Sequence, residues 1–398
     1  MASRREFNSS DESAYSGASS IARDARIARL YFEATELGLM PASTILQRSL
    51  SLKSVISTTS SFSRRFRSAR FRPDLQKINQ IGSGLQGAVF EVVGQALVIK
   101  KESPGNEALS SNLRHEFTIH CDVSAAFDQY ENATHSHVHV PKPHEFISKT
   151  QNHTFWDEVV PKMPQAYRTR GDVVKMERIL PLPKVVRKAL ITHFYGRDRN
   201  IDTSDIESFL NEPNNKHCLA RVYLGQTVGP MNLDTSAPLR NLPLYLGFME
   251  QLGLDTLTLA NEMGKAYATL HWGAGVNGDD VEFVLGTSTA EAPRALVKPP
   301  DFQHRAVGLY LLDFGQCEAF DLTQDCDVVY QAFKGAMVTG DNQRFIPHYS
   351  RSPKLFAAFK KGYIEAGNAI LSSKQLNEKF SMEDFMQEYE EYAEDFLY

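Results

Sequence analysis

The run Ile81-Gly82-Ser83-Gly84-Leu85-Gln86-Gly87-Ala88-Val89-Phe90 spaces three glycines as G-x-G-x-x-G. Backbone lacking side chains at Gly82, Gly84 and Gly87 can turn tightly and press its N–H groups against phosphate oxygens. Dinucleotide-binding folds write nearly the same letters, but there a helix opens after the glycines and an acidic residue lies about 20 positions on. Here a strand follows, Ala88 to Val93, then a turn at Gly94-Gln95 and a second apolar strand, Ala96-Leu97-Val98-Ile99-Lys100-Lys101. That strand matches the V-A-I-K pattern, which places one ammonium, Lys100, to neutralise the α and β phosphates of a nucleotide. A lysine among apolar neighbours needs an anion. Glu116, within the helical pattern Asn112 to His120, is the candidate, against the plainer role of a solvated acid on a helix face.

Downstream, the apolar run Leu309-Tyr310-Leu311-Leu312 ends in Asp313-Phe314-Gly315. A carboxylate at a strand end can reach a magnesium ion that bridges phosphates, and this spacing gives Asp313 that role, a purely structural aspartate being the alternative. Phosphoryl transfer also needs a base and, about five residues later, a second metal ligand. The segment Leu270 to Leu285 is the candidate. With Glu282 in the second-ligand position, the base position falls on Asn277, whose amide cannot usefully accept a proton. Asp279 or Asp280 can substitute, although turn or cap roles are equally open to them. Val173 to Pro181 reads as a buried strand entering a proline-stiffened hinge, where exposed backbone around Met176 would meet an adenine edge.

The elements around these residues divide the chain of 398 residues. Residues 1 to about 18 are polar and Ser-rich, and such a composition cannot bury enough apolar surface to order itself. Ile21 to Leu39 carries apolar positions at helical spacing and predicts one short amphipathic helix. Between Pro41 and Pro73 no acid occurs, while Arg48, Lys53, Arg64, Arg65, Arg67, Arg70 and Arg72 accumulate among serines. That is the composition of a solvated linker; a phosphorylation-controlled tether, an organellar or nuclear address, and an anionic-surface contact are the functional alternatives. The sequence therefore predicts a disordered leader over 1–73, a β-rich lobe over 74–180 and a mainly helical lobe over 181–398, an α+β arrangement. Phe385, Tyr389, Tyr392 and Phe396 lie at helical spacing and predict a terminal helix packed on the core.

A net charge of -5 and 23% charged residues exclude a global attraction to nucleic acid or anionic membrane. No run approaches the 18 to 20 or so apolar residues a membrane helix needs. The cysteines Cys121, Cys218, Cys317 and Cys326 form no C-x-x-C pair, which argues against a disulfide scaffold and for a reducing intracellular setting, cytoplasmic or nuclear.

Taken in order, the glycine hairpin, Lys100, Glu116 and Asp313-Phe314-Gly315 resemble the protein-kinase-like superfamily. The stretches His271-Trp272 through Asp280-Val281-Glu282-Phe283-Val284-Leu285-Gly286, Tyr310 to Phe314, Gly340 to Pro347 and Phe359 to Gly367 resemble a fungal kinase-like family sometimes described as zinc-finger-like. The resemblance implies a two-lobed kinase-like fold that takes ATP and Mg2+. In that family the position of Asn277 is usually Asp and that of Gly315 usually polar, so this chain stands further from a kinase at one and nearer at the other. Zinc finds no support, because Cys317 and Cys326 lack partners at ligand spacing. Gln316 to Thr323 leads quickly into a helix without A-P-E, closer to the small-molecule kinases of the aminoglycoside and choline type.

Three functions fit these residues. A pseudokinase or regulatory module binding nucleotide and a protein partner tolerates Asn277. An active ATP-dependent phosphotransferase on a small molecule or protein uses the same residues but needs a base. A helical interaction protein would make the loop, the lysine and D-F-G coincidental.

Overall fold

Runs of β-branched and aromatic residues settle into two separate sheets in the computed structural model, which describes residues 29–59, 77–84, 86–103, 110–194, 203–228, 238–290 and 302–397. The first part of the chain contains β1 (Leu30–Glu33), α1 (Ala34–Leu37), α2 (Ala42–Ser49), β2 (Ser54–Thr59), β3 (Ile78–Ser83), β4 (Gly87–Val92) and β5 (Leu97–Glu102). The long helix α3 (Ser110–Gln129) follows, then α4 (Glu131–Thr134), β6 (Val138–His139), β7 (Pro143–Ile147), α5 (His153–Val159) and β8 (Val173–Glu177). Next come α6 (Lys184–Phe194), α7 (Thr203–Asn211), β9 (Ala220–Tyr223), β10 (Leu242–Tyr245), α8 (Leu246–Gln251) and α9 (Thr256–Ala268), which runs into a π-helical turn at Thr269–Ala274. The chain closes with β11 (Glu282–Ala290), β12 (Phe302–Leu312), α10 (Cys326–Met337), α11 (Asn342–Phe345), α12 (Pro353–Lys374) and α13 (Met382–Phe396).

The smaller sheet is antiparallel throughout, in the order β3-β4-β5-β8-β7. One face buries Ile78, Phe90, Ile99 and Val173 against Trp156 and Met163. Side chains alternate along a strand, so Lys100, next to Ile99, leaves that core and points to the face covered by α3.

The larger sheet runs β1-β2-β12-β11-β9-β10, with β6 also on β12. β12 pairs with β11 along one edge, from Leu312 opposite Glu282 to His304 opposite Ala290. Along its other edge it meets β2 at Phe302–Ala306 and then β6 at Leu309–Tyr310. From Ala306 to Leu311 this strand is buried on both faces, which is why that stretch reads as continuous apolar sequence. Its last residue, Leu312, delivers Asp313.

The leader is the main correction. Residues 30–59 are built into the larger sheet, and Leu37, Ile45, Leu46, Leu50, Leu52 and Ile56 belong to the large core. The charge pattern there reported solvated positions and hid a short strand, Ser54–Thr59, whose partner β12 lies far away in sequence. The helix expected up to Leu39 is, in its described part, strand β1 and one helical turn; residues 1–28 and 60–76 lie outside the described residues. The second half is also less helical than expected, since β9 to β12 lie within it. α13 does pack its stripe: Phe385 and Tyr389 are buried, whereas Phe396 is half-exposed. Among the described residues no helix is long and apolar enough to cross a membrane.

Candidate functional site

Lys100, Glu116 and Asp313 come from three elements and meet at one point. Lys100 Nζ donates to Glu116 Oε1 at 2.6 Å and Oε2 at 2.8 Å, and to Asp313 Oδ1 at 3.3 Å. The lysine and glutamate side chains are 9% and 6% exposed, the aspartate 40%, so the cluster opens to solvent on the Asp313 side. Burial works against the charge on Lys100, but Asp313 and Glu116 outweigh it and hold the ammonium above its ordinary range. Burial likewise pushes the Glu116 carboxyl up, with Lys100 pulling it back.

α3 sets this geometry. His120, one turn on from Glu116, packs its ring 5.0 Å from that of buried Phe314 and hydrogen-bonds through Nε2 to the Pro141 carbonyl at 2.5 Å. His115 Nε2 donates to the Cys317 carbonyl at 2.8 Å. Helix and D-F-G segment are thereby clamped on both sides of Glu116. Asp313 itself adopts a left-handed backbone, φ 67°, which a non-glycine residue takes only when its surroundings hold it there.

The glycine loop lies above Gly315. Gly84 N–H donates to the Gly87 carbonyl at 2.8 Å; Leu85 is outside the described residues. A Cβ on Gly87 would sit 2.3 Å from the Lys101 carbonyl oxygen, whereas one on Gly84 would meet nothing within 4 Å and one on Gly82 only Val89. The first glycine-dependent contact is thus strand packing, and the open one is Gly84. The Gln86 amide lies directly against Gly315, where a Cβ would fall 1.8 Å from Gln86 Oε1. The expected hinge is less open than the sequence suggests. Met176 lies opposite Val98 within β8, and the amides of Glu177, Arg178 and Leu180 already donate to the carbonyls of Lys142, Ala96 and Thr287.

The segment after α9 is held from both sides. Trp272 Nε1 donates to the Tyr363 hydroxyl at 2.9 Å, and that hydroxyl meets His271 Nδ1 at 2.7 Å. His271 Nε2 must then carry the proton, because its partner at 3.1 Å is the Asn277 carbonyl. Burial pushes His271 down to about 3, so the ring stays neutral. The Asn277 side chain accepts from the Glu318 amide at 2.9 Å and from the Asp279 amide at 3.3 Å. At the base position, then, stands a turn-forming amide that joins this segment to the one after D-F-G. Asp279 accepts from Thr339 Oγ1 at 3.0 Å. Asp280, also left-handed with φ 55°, accepts from Gln316 Nε2 at 2.7 Å and from the Asp341 amide at 3.3 Å. Burial pushes the Asp280 carboxyl up.

Glu282 heads β11 beside the end of β12, as the second-ligand position requires, but its carboxylate is bound by the Arg221 guanidinium of β9. Burial pushes this carboxyl up to about 7 against the pull of Arg221. The carboxylate expected as a second metal ligand is thus paired with Arg221. Among the described residues no three His, Cys, Asp or Glu side chains converge as a metal-holding group. Asp313, a half-open carboxylate beside the buried lysine, is a hard oxygen donor of the kind that would suit a magnesium ion. A separate open groove of about 660 Å³ lies along Phe320, Val328, Gln331 and Glu388 and includes none of these residues.

Arg221, Tyr363, Gln86, Gln316 and Asp341 escaped the sequence reading. Only Gln86 had a local signal, its place between the glycines; the others reach their partners across tens of residues. No protein-family model matches the chain, and a search of curated proteins finds no match either.

Proposed function

We propose that the chain is a two-lobed, kinase-like nucleotide-binding protein that acts as a pseudokinase or regulatory module, with weak or no phosphotransfer. The observation that carries this reading is the buried Lys100–Glu116 pair closed by Asp313. A lysine so charged and so oriented suits the α and β phosphates, and Gly82, Gly84 and Gly87 suit the loop above them. Bound Mg2+ would neutralise phosphate charge at Asp313. Lys100 would orient the phosphates, Glu116 would fix Lys100, and the β5 and β12 strands would keep both groups in place. The Asn277 side chain is committed to backbone amides and supplies no base, which supports slow chemistry or none.

Titration of the full chain with ATP, with and without Mg2+, tests the proposal. Saturable binding that needs Lys100 and Asp313 is expected. Absence of binding at millimolar nucleotide would refute it.

One observation favours a second reading, an active phosphotransferase. Asp280 is held in a left-handed conformation by Gln316 and Asp341, and burial raises its proton affinity toward that of a useful base. On that reading Asp280→Asn would silence robust wild-type turnover without unfolding the protein.

A further inference from the structure

Glu282 and Arg221 occupy adjacent strands, with Arg221 in register with Val284, so their side chains reach one another along a diagonal of the same sheet face. The pair is largely buried, at 14% and 19% exposure. Arg221 Nη1 also lies 3.7 Å from Asp341 Oδ2, and Arg344 approaches the other oxygen of Asp341 at 3.0 Å. Burial pulls the Arg221 guanidinium down, but Glu282, Tyr223 and Asp341 outweigh it and keep the charge in place. Asp280, the next carboxylate, is held by Gln316 and the Asp341 amide. Glu282 is thus engaged by Arg221 and Asp280 by Gln316 and the Asp341 amide, while Asp313, 40% exposed, has one oxygen on Lys100.

We infer that Arg221 is a tethered cation standing where a second divalent ion would be held, so that the nucleotide site accepts one divalent ion, on Asp313. This rests on the nucleotide-binding proposal above and specifies its metal requirement. For Glu282 to ligate a metal it must either release Arg221, leaving a desolvated guanidinium without its main partner, or share one carboxylate between two cations. A divalent ion and Arg221 thus compete for the same carboxylate, and the arginine is covalently attached to the sheet.

The test counts Mn2+ bound to the full chain by electron paramagnetic resonance at saturating non-hydrolysable ATP analogue. One ion per chain is expected. Glu282→Gln should leave the count and affinity unchanged, while Asp313→Asn should weaken Mn2+ binding by about tenfold or more. Arg221→Met frees Glu282 and should bring the count to two. Should Arg221→Met fail to fold, the wild type and Glu282→Gln still decide. Two ions on the wild type, or weakened Mn2+ binding in Glu282→Gln, would overturn the inference while leaving nucleotide binding intact. A wild type that takes up Mn2+ but no nucleotide would instead sink the underlying proposal and the inference with it.

Discussion

A chain beginning at Asp74 will not reach the native state, although the composition before that residue is that of a solvated linker. Its removal takes away Leu37, Ile45, Leu46, Leu50, Leu52, Val55 and Ile56, each 8% exposed or less. At roughly 1.5 to 3 kcal/mol per buried side chain these contribute on the order of 10 to 20 kcal/mol, an upper estimate because an unfolded chain already buries some of that area. Whole-domain stabilities are about 5 to 15 kcal/mol, so the loss exceeds the margin. It also strips β2 from the Phe302–Ala306 edge of β12, the strand that carries Asp313. A milder probe is Leu46→Ala in the full chain, fully buried in α2, with an expected cost of about 2 to 5 kcal/mol. Urea unfolding followed by circular dichroism reads both, the point variant as a lower midpoint at unchanged slope. Cooperative unfolding of the chain from Asp74 at the wild-type midpoint, or a Leu46→Ala loss within about 0.5 kcal/mol, would show that the segment is surface dressing.

Gly87→Ala forces a Cβ to 2.3 Å from the Lys101 carbonyl and should cost about 1 to 3 kcal/mol, whereas Gly84→Ala, with open space around it, should leave thermal stability unchanged; equal effects would place the loop differently. Lys100→Met leaves the buried Glu116 without its partner and should cost about 3 to 5 kcal/mol in urea as well as abolishing ATP-induced stabilisation; Lys100→Met with Glu116→Gln should recover much of the stability but none of the binding. Burial lowers His120 to about 4 and His271 to about 3, so below pH 6.5 the unfolded chain takes up protons that the folded chain refuses. Stability should then fall as pH drops from 6.5 towards 4, by up to about 1.4 kcal/mol per pH unit for each histidine, and His120→Asn should flatten that slope. Asn277→Asp keeps an oxygen for the Glu318 and Asp279 amides, so the fold should survive; turnover should rise, by as much as about 100 to 10,000-fold where a base is all that is missing, and no rise would mean that Asn277 is not what limits chemistry.

Sequence alone determined the parts whose signal is local. Three glycines before a hairpin, a lysine ending an apolar strand and an aspartate ending another are each legible within about ten residues, because backbone freedom and strand alternation act at that range. Glu116 was legible only as an acid on a helix, and the 2.6 Å contact with Lys100 required the sheet and α3 to be packed together. Where partners lie far apart in the chain, the sequence misled. Residues 41–59 advertise Arg48, Lys53 and their serines, yet β2 is a buried strand because β12, more than 240 residues on, offers it an edge, as at Ser57 opposite His304. Glu282 stands at ligand spacing, yet Arg221, 61 residues earlier, holds it. Asn277 stands at the base position, yet its amide bonds Glu318 across 41 residues. Which carboxylate stays open, which cation closes another, and which polar segment is core were decided by tertiary packing, since a side chain's charge partner and its burial depend on neighbours that only the folded chain brings near.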